Sequence, residues 1–216
     1  NIQLIGGILM IPIFVLITFN HSLFLTVSLI LIFLLGLSSD TGFISSAKLR
    51  LLIQSLIIFI FLIYSETVLS SVRIEKFDLL LSNHWFGLLF TLICLMILTN
   101  GTNFIDGLNG LVLTYYLTIL LIIFYLRLYE FSFLNQQDVI LMIMIFSYLA
   151  IFNFFNKLYI GDSGSYVIGF LLGYILLQIY ENNLILSPYF IAVLLWYPAF
   201  EILFSIIRKL RINKSP

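Results

Sequence analysis

Charge, cysteine and histidine are all scarce in this chain. Lys and Arg number 10 and Asp and Glu number 10, together 9% of 216 residues, against 62% hydrophobic residues and a mean hydropathy of +1.17. Such a balance excludes a soluble globular domain. The formal net charge of zero removes nucleic acid as a bulk electrostatic partner. The single cysteine, Cys94, lies in an apolar run and cannot close an intrachain disulfide. No internal repeat is visible, which weighs against repeat-built transporter folds. The opening residues do not carry the positive start, short apolar stretch and small-residue cleavage site expected of a secretory leader. With Asn1 in place of an initiator Met, the chain is expected to be part of a longer one. The 22 Phe and 12 Tyr carry no functional message by themselves.

What is present is a series of long apolar runs. They fall near Leu4 to Phe19, Ser22 to Leu37, Leu49 to Ser70, Trp85 to Leu98, Leu108 to Tyr129, Val139 to Phe155, Tyr166 to Ile179 and Ile185 to Ile207. A span takes roughly 20 residues, so about eight of them use roughly 160 positions and leave no room for an extra-membrane domain. Runs of this length without period-two alternation satisfy their backbone in lipid as helices, not as barrel strands. The expected fold is therefore all-α and polytopic, a single transmembrane domain over residues 1–216. Residues 72 to 84 mix charges with Ile, Phe and Leu and are expected to lie along the surface as a short amphipathic piece.

Alternate loops must lie on alternate sides, and the side rich in Lys and Arg is the cytosolic one. Lys48, Arg50, Lys157, Arg208, Lys209, Arg211 and Lys214 fall on one side, and Arg73, Lys76 and Arg127 on the other. The loops near residues 38 to 48, 99 to 107 and 156 to 165 are thereby expected to face the cytosol. Each carries one acid, Asp40, Asp106 and Asp162 respectively. Glu75, Asp78, Glu130, Asp138 and Glu181 belong to the opposite side, where a solvated carboxylate costs little.

Three stretches carry chemistry. NGTNFIDGLNGL spaces Asn100, Asn103, Asp106 and Asn109 three apart, which on a helix puts them along one polar side. Placed at the start of a membrane helix, these oxygens suit Mg²⁺ and the freed amides suit phosphate. The alternative is a polar, Gly-rich turn between two spans. GDSGS, Gly161 to Ser165, adds Asp162 as a metal oxygen and Gly164 and Ser165 as small residues with donors where the next helix begins. These are also ordinary turn and cap residues. LGLSSDTGFISSAKLRLLIQ places Asp40 at one inner helix end and Lys48 and Arg50 at the start of the next, an acid and two cations able to hold a lipid phosphate; basic helix flanks are also common topology signals.

Together with IGGI at Ile5 to Ile8 and PAFEILFSIIRKLRINKSP at the end, these stretches resemble, in order and over nearly the whole chain, the polyprenyl-phosphate N-acetylhexosamine-1-phosphate transferase superfamily (glycosyltransferase family 4). The likeness is nearest to the branch that initiates O-antigen and common-antigen synthesis. It implies a multi-pass protein of the bacterial inner membrane with its site facing the cytosol. It implies transfer of N-acetylhexosamine-1-phosphate from a UDP-N-acetylhexosamine to undecaprenyl phosphate with release of UMP. The implied cofactor is Mg²⁺, with Mn²⁺ as a substitute, and the implied partners are the bilayer and, as one allowed assembly, a second copy in a homodimer. Carried over by position, Asn103 and Asp162 are the metal ligands, and Asp40 and Asp106 are the catalytic carboxylates. Lys48, Arg50, Asn100, Asn109, Gly164 and Ser165 are the substrate contacts.

Ser39 stands where the family usually has the first of two adjacent aspartates, and Asn109 where many bacterial members have Asp. The family also has a helix before this chain's first run and a histidine-rich cytosolic loop after its last. His21 and His84, both on the outer side, do not replace that loop. Asn103 and Asp162, 59 positions apart, are expected to converge on one Mg²⁺ site, with Asp106 beside them. The competing readings are a membrane transporter, which would hold its polar residues near the bilayer midplane, and a catalytically inactive scaffold relative, to which Ser39 would point.

Overall fold

A computed structural model describes residues 5–183 and 185–211, without the side chains of 209 and 210. Leu4, Lys214, the side chain of Lys209 and the end of the basic tail fall outside the described residues. The fold is a helical bundle: α1 (Gly6–Phe19), α2 (Leu23–Asp40), α3 (Ala47–Ser65), α4 (Glu75–Leu81), α5 (His84–Ile105), α6 (Leu111–Tyr125), α7 (Gln136–Phe154), α8 (Gly161–Asn182), α9 (Pro188–Leu194) and α10 (Trp196–Arg211), with one 3₁₀ turn at Leu128–Phe131. Polar residues set the starts. Ser22, Ser46, Asn83 and Ser187 each accept an amide hydrogen bond from the first turn they precede, and Asn135 with Asp138 forms a reciprocal capping box on α7.

Helix occupies most of the described part of each expected apolar run, but the count of about eight spans needs correction. Among the described residues five helices are long and apolar enough to cross a membrane, or six if the pair α9–α10, bent by 65°, counts as one span. The 14 residues of α1 and 15 of α6 reach only about 21–23 Å, short of a hydrocarbon core of roughly 30 Å. The run Leu49 to Ser70 also stops early, because Glu66 takes a left-handed backbone (φ 54°) that ends α3 at Ser65. Beyond it the chain crosses the bundle end as an extended strap, and the surface piece expected at 72 to 84 is the short helix α4.

Helix α8 is the axis of the bundle, buried along nearly its whole length, with α2 and α5 packed on it and α1 beside them. Lipid is as apolar as leucine, so helices in a bilayer associate through close packing and not through the hydrophobic effect. Glycine makes that closeness available. A Cβ at Gly36 of α2 would lie 2.4 Å from Ser163 Cα of α8, and one at Gly7 of α1 would lie 2.7 Å from the Gly164 nitrogen. Farther along α8 the contact is aromatic, with Phe61 of α3 edge-on to Phe170 and Tyr174 at 5.3 and 4.8 Å.

At the end away from these glycines, three acids that need no partner in solvent act as anchors. Glu181 accepts from the Ser70 amide and hydroxyl (3.0 and 2.7 Å), Asp78 from the Ser71 hydroxyl and Val72 amide (both 2.7 Å), and Asp138 faces His21 Nε2 at 3.4 Å.

Candidate active site

The site lies where α2 and α5 end and α3 and α8 begin. Two close approaches decide its geometry. Glycine contact between α2 and α8 brings Asp40, the last residue of α2, over the start of α8. Its two carboxylate oxygens accept the Asp162 amide at 2.8 Å and the Ser163 amide at 3.0 Å. A helix leaves its first amides without internal partners and carries positive partial charge there. Asp40 is thus the cap of α8, contributed by another helix. The Gly161 amide is turned toward the Asp106 carboxylate.

Asp162, held by that cap, is the hub. Its Oδ1 accepts from Asn103 Nδ2 at 2.6 Å, and its Oδ2 accepts from the Ser39 hydroxyl and faces Arg50 Nη1 at 3.4 Å. Arg50 also donates to Ser39 Oγ, and Asn103 Nδ2 to Ser165 Oγ at 3.0 Å. Four helices thereby deliver Ser39 and Asp40, Arg50, Asn103 and Asp106, and Asp162 and Ser165 to one spot.

The placement of NGTNFIDGLNGL differs from the sequence reading. Asn100 and Asn103 lie in the last two turns of α5, not at the start of the next helix, and Asp106 is the residue that follows α5. The chain then turns through Gly110, whose φ of 77° favours glycine and where a Cβ would lie 2.7 Å from the Phe154 ring, before α6 begins at Leu111. A helix end carries negative partial charge, so this stretch favours a cation where a helix start would favour phosphate. The row of four does not continue to Asn109. That residue is exposed and donates to Asn156, while Gly110 donates its amide to Asn153 at the end of α7.

Three further expectations change on inspection of the side chains. Gly164 faces Gly7 and Met10 of α1 inside the bundle, so its small size serves packing and not ligand approach. The first amides of α8, expected to be free for phosphate, are taken by Asp40 and Asp106. Lys48 is exposed and makes no hydrogen bond or ion pair among the described residues, whereas Arg50 is in the cluster. Asn100 sits one turn deeper and donates to Gln54 Oε1 at 2.7 Å and to the Met96 carbonyl at 2.9 Å. Gln54 ends the stretch LGLSSDTGFISSAKLRLLIQ without being one of its candidate contacts. The signal was there, a lone amide in the run LRLLIQSLIIFIF four residues after Arg50, hence on the same face.

Three carboxylates therefore share a half-buried end of the bundle with one guanidinium. Asp106 registers the imbalance: burial, then the charges of Asp162 and Asp40, push its pKa up to about 7, against the Gly161 amide, which lowers it. Among the described residues no three of His, Cys, Asp and Glu form a ready-made metal cage. The donors are nonetheless all oxygen-type, and Mg²⁺ is commonly held by one or two carboxylates with waters and substrate phosphates completing its shell. Asp162, Asp106 and the Asn103 amide, turned to present its oxygen, fit that chemistry.

The family model described as glycosyl transferase family 4 matches residues 22–180, a stretch that contains every member of this cluster. No curated protein and no solved structure matches the chain.

Proposed function

The chain belongs to glycosyl transferase family 4, and from that premise we propose that it transfers an N-acetylhexosamine-1-phosphate from a UDP-sugar to undecaprenyl phosphate, releasing UMP and initiating a cell-surface polysaccharide. The observation that carries this reading is the meeting of Asp40, Arg50, Asn103, Asp106 and Asp162 from four helices at one end of a membrane bundle. On the charge distribution that end faces the cytosol of a bacterial inner membrane, where a sugar nucleotide is available.

Transfer between two phosphates is chiefly a matter of neutralising charge and aligning the attacking oxygen with the phosphorus. Mg²⁺ held by Asp162, Asn103 and Asp106 would offset the charge of the diphosphate. Arg50 brings a fixed positive charge to the same spot and, held by Ser39 and Asp162, keeps one orientation. Asp40 acts through α8: by holding its first turn it sets where Asp162 stands. The phosphate oxygen of the lipid is already ionised at neutral pH, so the attack needs alignment more than proton removal. A carrier would keep its polar residues near the middle of the membrane, and here they cluster at helix ends.

The test is transfer of labelled N-acetylhexosamine-1-phosphate from UDP-N-acetylhexosamine to undecaprenyl phosphate, with release of UMP, in membranes from cells expressing the complete reading frame. Expected are a requirement for Mg²⁺, partly met by Mn²⁺, and loss of activity in Asp162→Ala and Asp106→Ala. Absence of transfer with every UDP-sugar tried, in a protein that is folded and inserted, would favour the scaffold reading.

A further inference from the structure

Gln54 is 1% exposed, and its Nε2 has no hydrogen-bond partner among the described residues. Its Oε1 is occupied by Asn100, which fixes the carboxamide and leaves both Nε2 hydrogens unused. One turn nearer the helix start, the Nε of Arg50 is likewise buried and unpartnered, although the other end of that guanidinium is bonded to Ser39. Residues four apart lie one above the other on a helix, so these two donors share a face of α3, between α2 and α5 and about 6 Å apart along the axis. A buried donor without an acceptor is destabilising, the more so when the donor is itself charged. Two such donors, stacked beside a cluster of carboxylates with one guanidinium, lack acceptor oxygens among the described residues.

We propose that Gln54 Nε2 and Arg50 Nε each receive an oxygen of one phosphate group of the substrate, making Gln54 a substrate-binding residue of this site. The inference rests on the phosphotransferase reading for its substrate, but the need for acceptors follows from the two stranded donors. A cationic and a neutral N–H in a low-dielectric setting suit an anionic oxygen better than a hydroxyl or a carbonyl. That phosphate group could belong to the lipid or to the sugar nucleotide. The chemistry is shared, and the two sources separate by experiment.

The purified protein in detergent is titrated with farnesyl phosphate, with farnesol as the phosphate-free control, and with UDP, following thermal stabilisation. Gln54→Met keeps the side-chain length and removes the donor, and Arg50→Lys keeps the charge and removes Nε. Each should weaken binding of one phosphate probe by about tenfold or more, the loss of a hydrogen bond to a charged group, while farnesol binding stays as in the wild type. Weakening confined to farnesyl phosphate assigns the two donors to the lipid, and weakening confined to UDP assigns them to the nucleotide. Wild-type affinity of Gln54→Met for both phosphate probes overturns the proposal. So does equal weakening of farnesol, which would mean that the variant had only loosened the bundle; Gln54→Asn, which retains an amide, should then behave no better. Binding is read without turnover, so an inactive protein would contradict the proposed function and leave this result standing on its own.

Discussion

Replacing Asp40 should unlock α8, and the size of the effect can be worked from its contacts. The carboxylate accepts two amides of the first turn at 2.8 and 3.0 Å and places a negative charge at the positive end of a 22-residue helix. Loss of a helix cap typically costs about 1 kcal/mol and up to about 2. Loss of a charge at a helix terminus adds about 0.3–1, up to about 2 where the geometry is partly buried. Asp40 is half-buried and no other side chain among the described residues accepts from those two amides, so Asp40→Ala should destabilise the bundle by about 2–4 kcal/mol. Asp40→Asn keeps one of the two acceptor oxygens and loses the other together with the charge, and should cost about 1–2 kcal/mol. Helical circular dichroism during denaturation in mild detergent measures both. If Asp40 serves through α8, transfer activity should follow the same order, with Asp40→Asn retaining a measurable fraction and Asp40→Ala close to none. Wild-type stability in Asp40→Ala would refute the capping argument. Normal stability combined with no activity in Asp40→Asn would instead make the carboxylate itself part of the chemistry.

The remaining predictions concern the same end of the bundle. The Asp106 pKa is raised in the folded state, so between about pH 4 and 7 the folded protein keeps a proton that the unfolded chain has lost, and metal-free stability falls as pH rises through that window. Asp106→Asn removes this slope: in EDTA its melting temperature should match the wild type near pH 4 and exceed it above pH 7, and parallel curves would count against the burial argument. Gly36→Ala puts a Cβ 2.4 Å from Ser163 Cα and must push α2 away from α8, at about 1–3 kcal/mol; a variant as stable and active as the wild type would show that the helices have slack. Ser39→Ala removes the hydroxyl between Arg50 and Asp162 and should raise the Mg²⁺ or substrate concentration needed for half-maximal transfer, while Ser39→Thr should restore it; equal kinetics in all three would remove Ser39 from the site.

Much of this protein was determined by its sequence alone. Apolar runs without alternation leave lipid as their only compatible solvent, and lipid leaves helix as their backbone solution, so the fold class follows from composition and period. Polar residues survive in such a chain mainly where they have work, and so Asp40, Arg50, Asn103, Asp106 and Asp162 stood out before any coordinates. What the sequence could not decide was direction and partnership. Whether NGTNFIDGLNGL closes one helix or opens the next depends on where the chain breaks, and Gly110, not Asn100, marks that point. Whether the amides at Asp162 and Ser163 are free depends on a carboxylate more than 120 positions earlier, brought over them by a glycine contact between α2 and α8. Gly164 and Gln54 exchanged their expected importance for the same reason. Side-chain type reports what a residue can do, but only the packing of α1, α3 and α5 around α8 decides that Gly164 faces a neighbouring helix while Gln54 faces the site with a donor to spare.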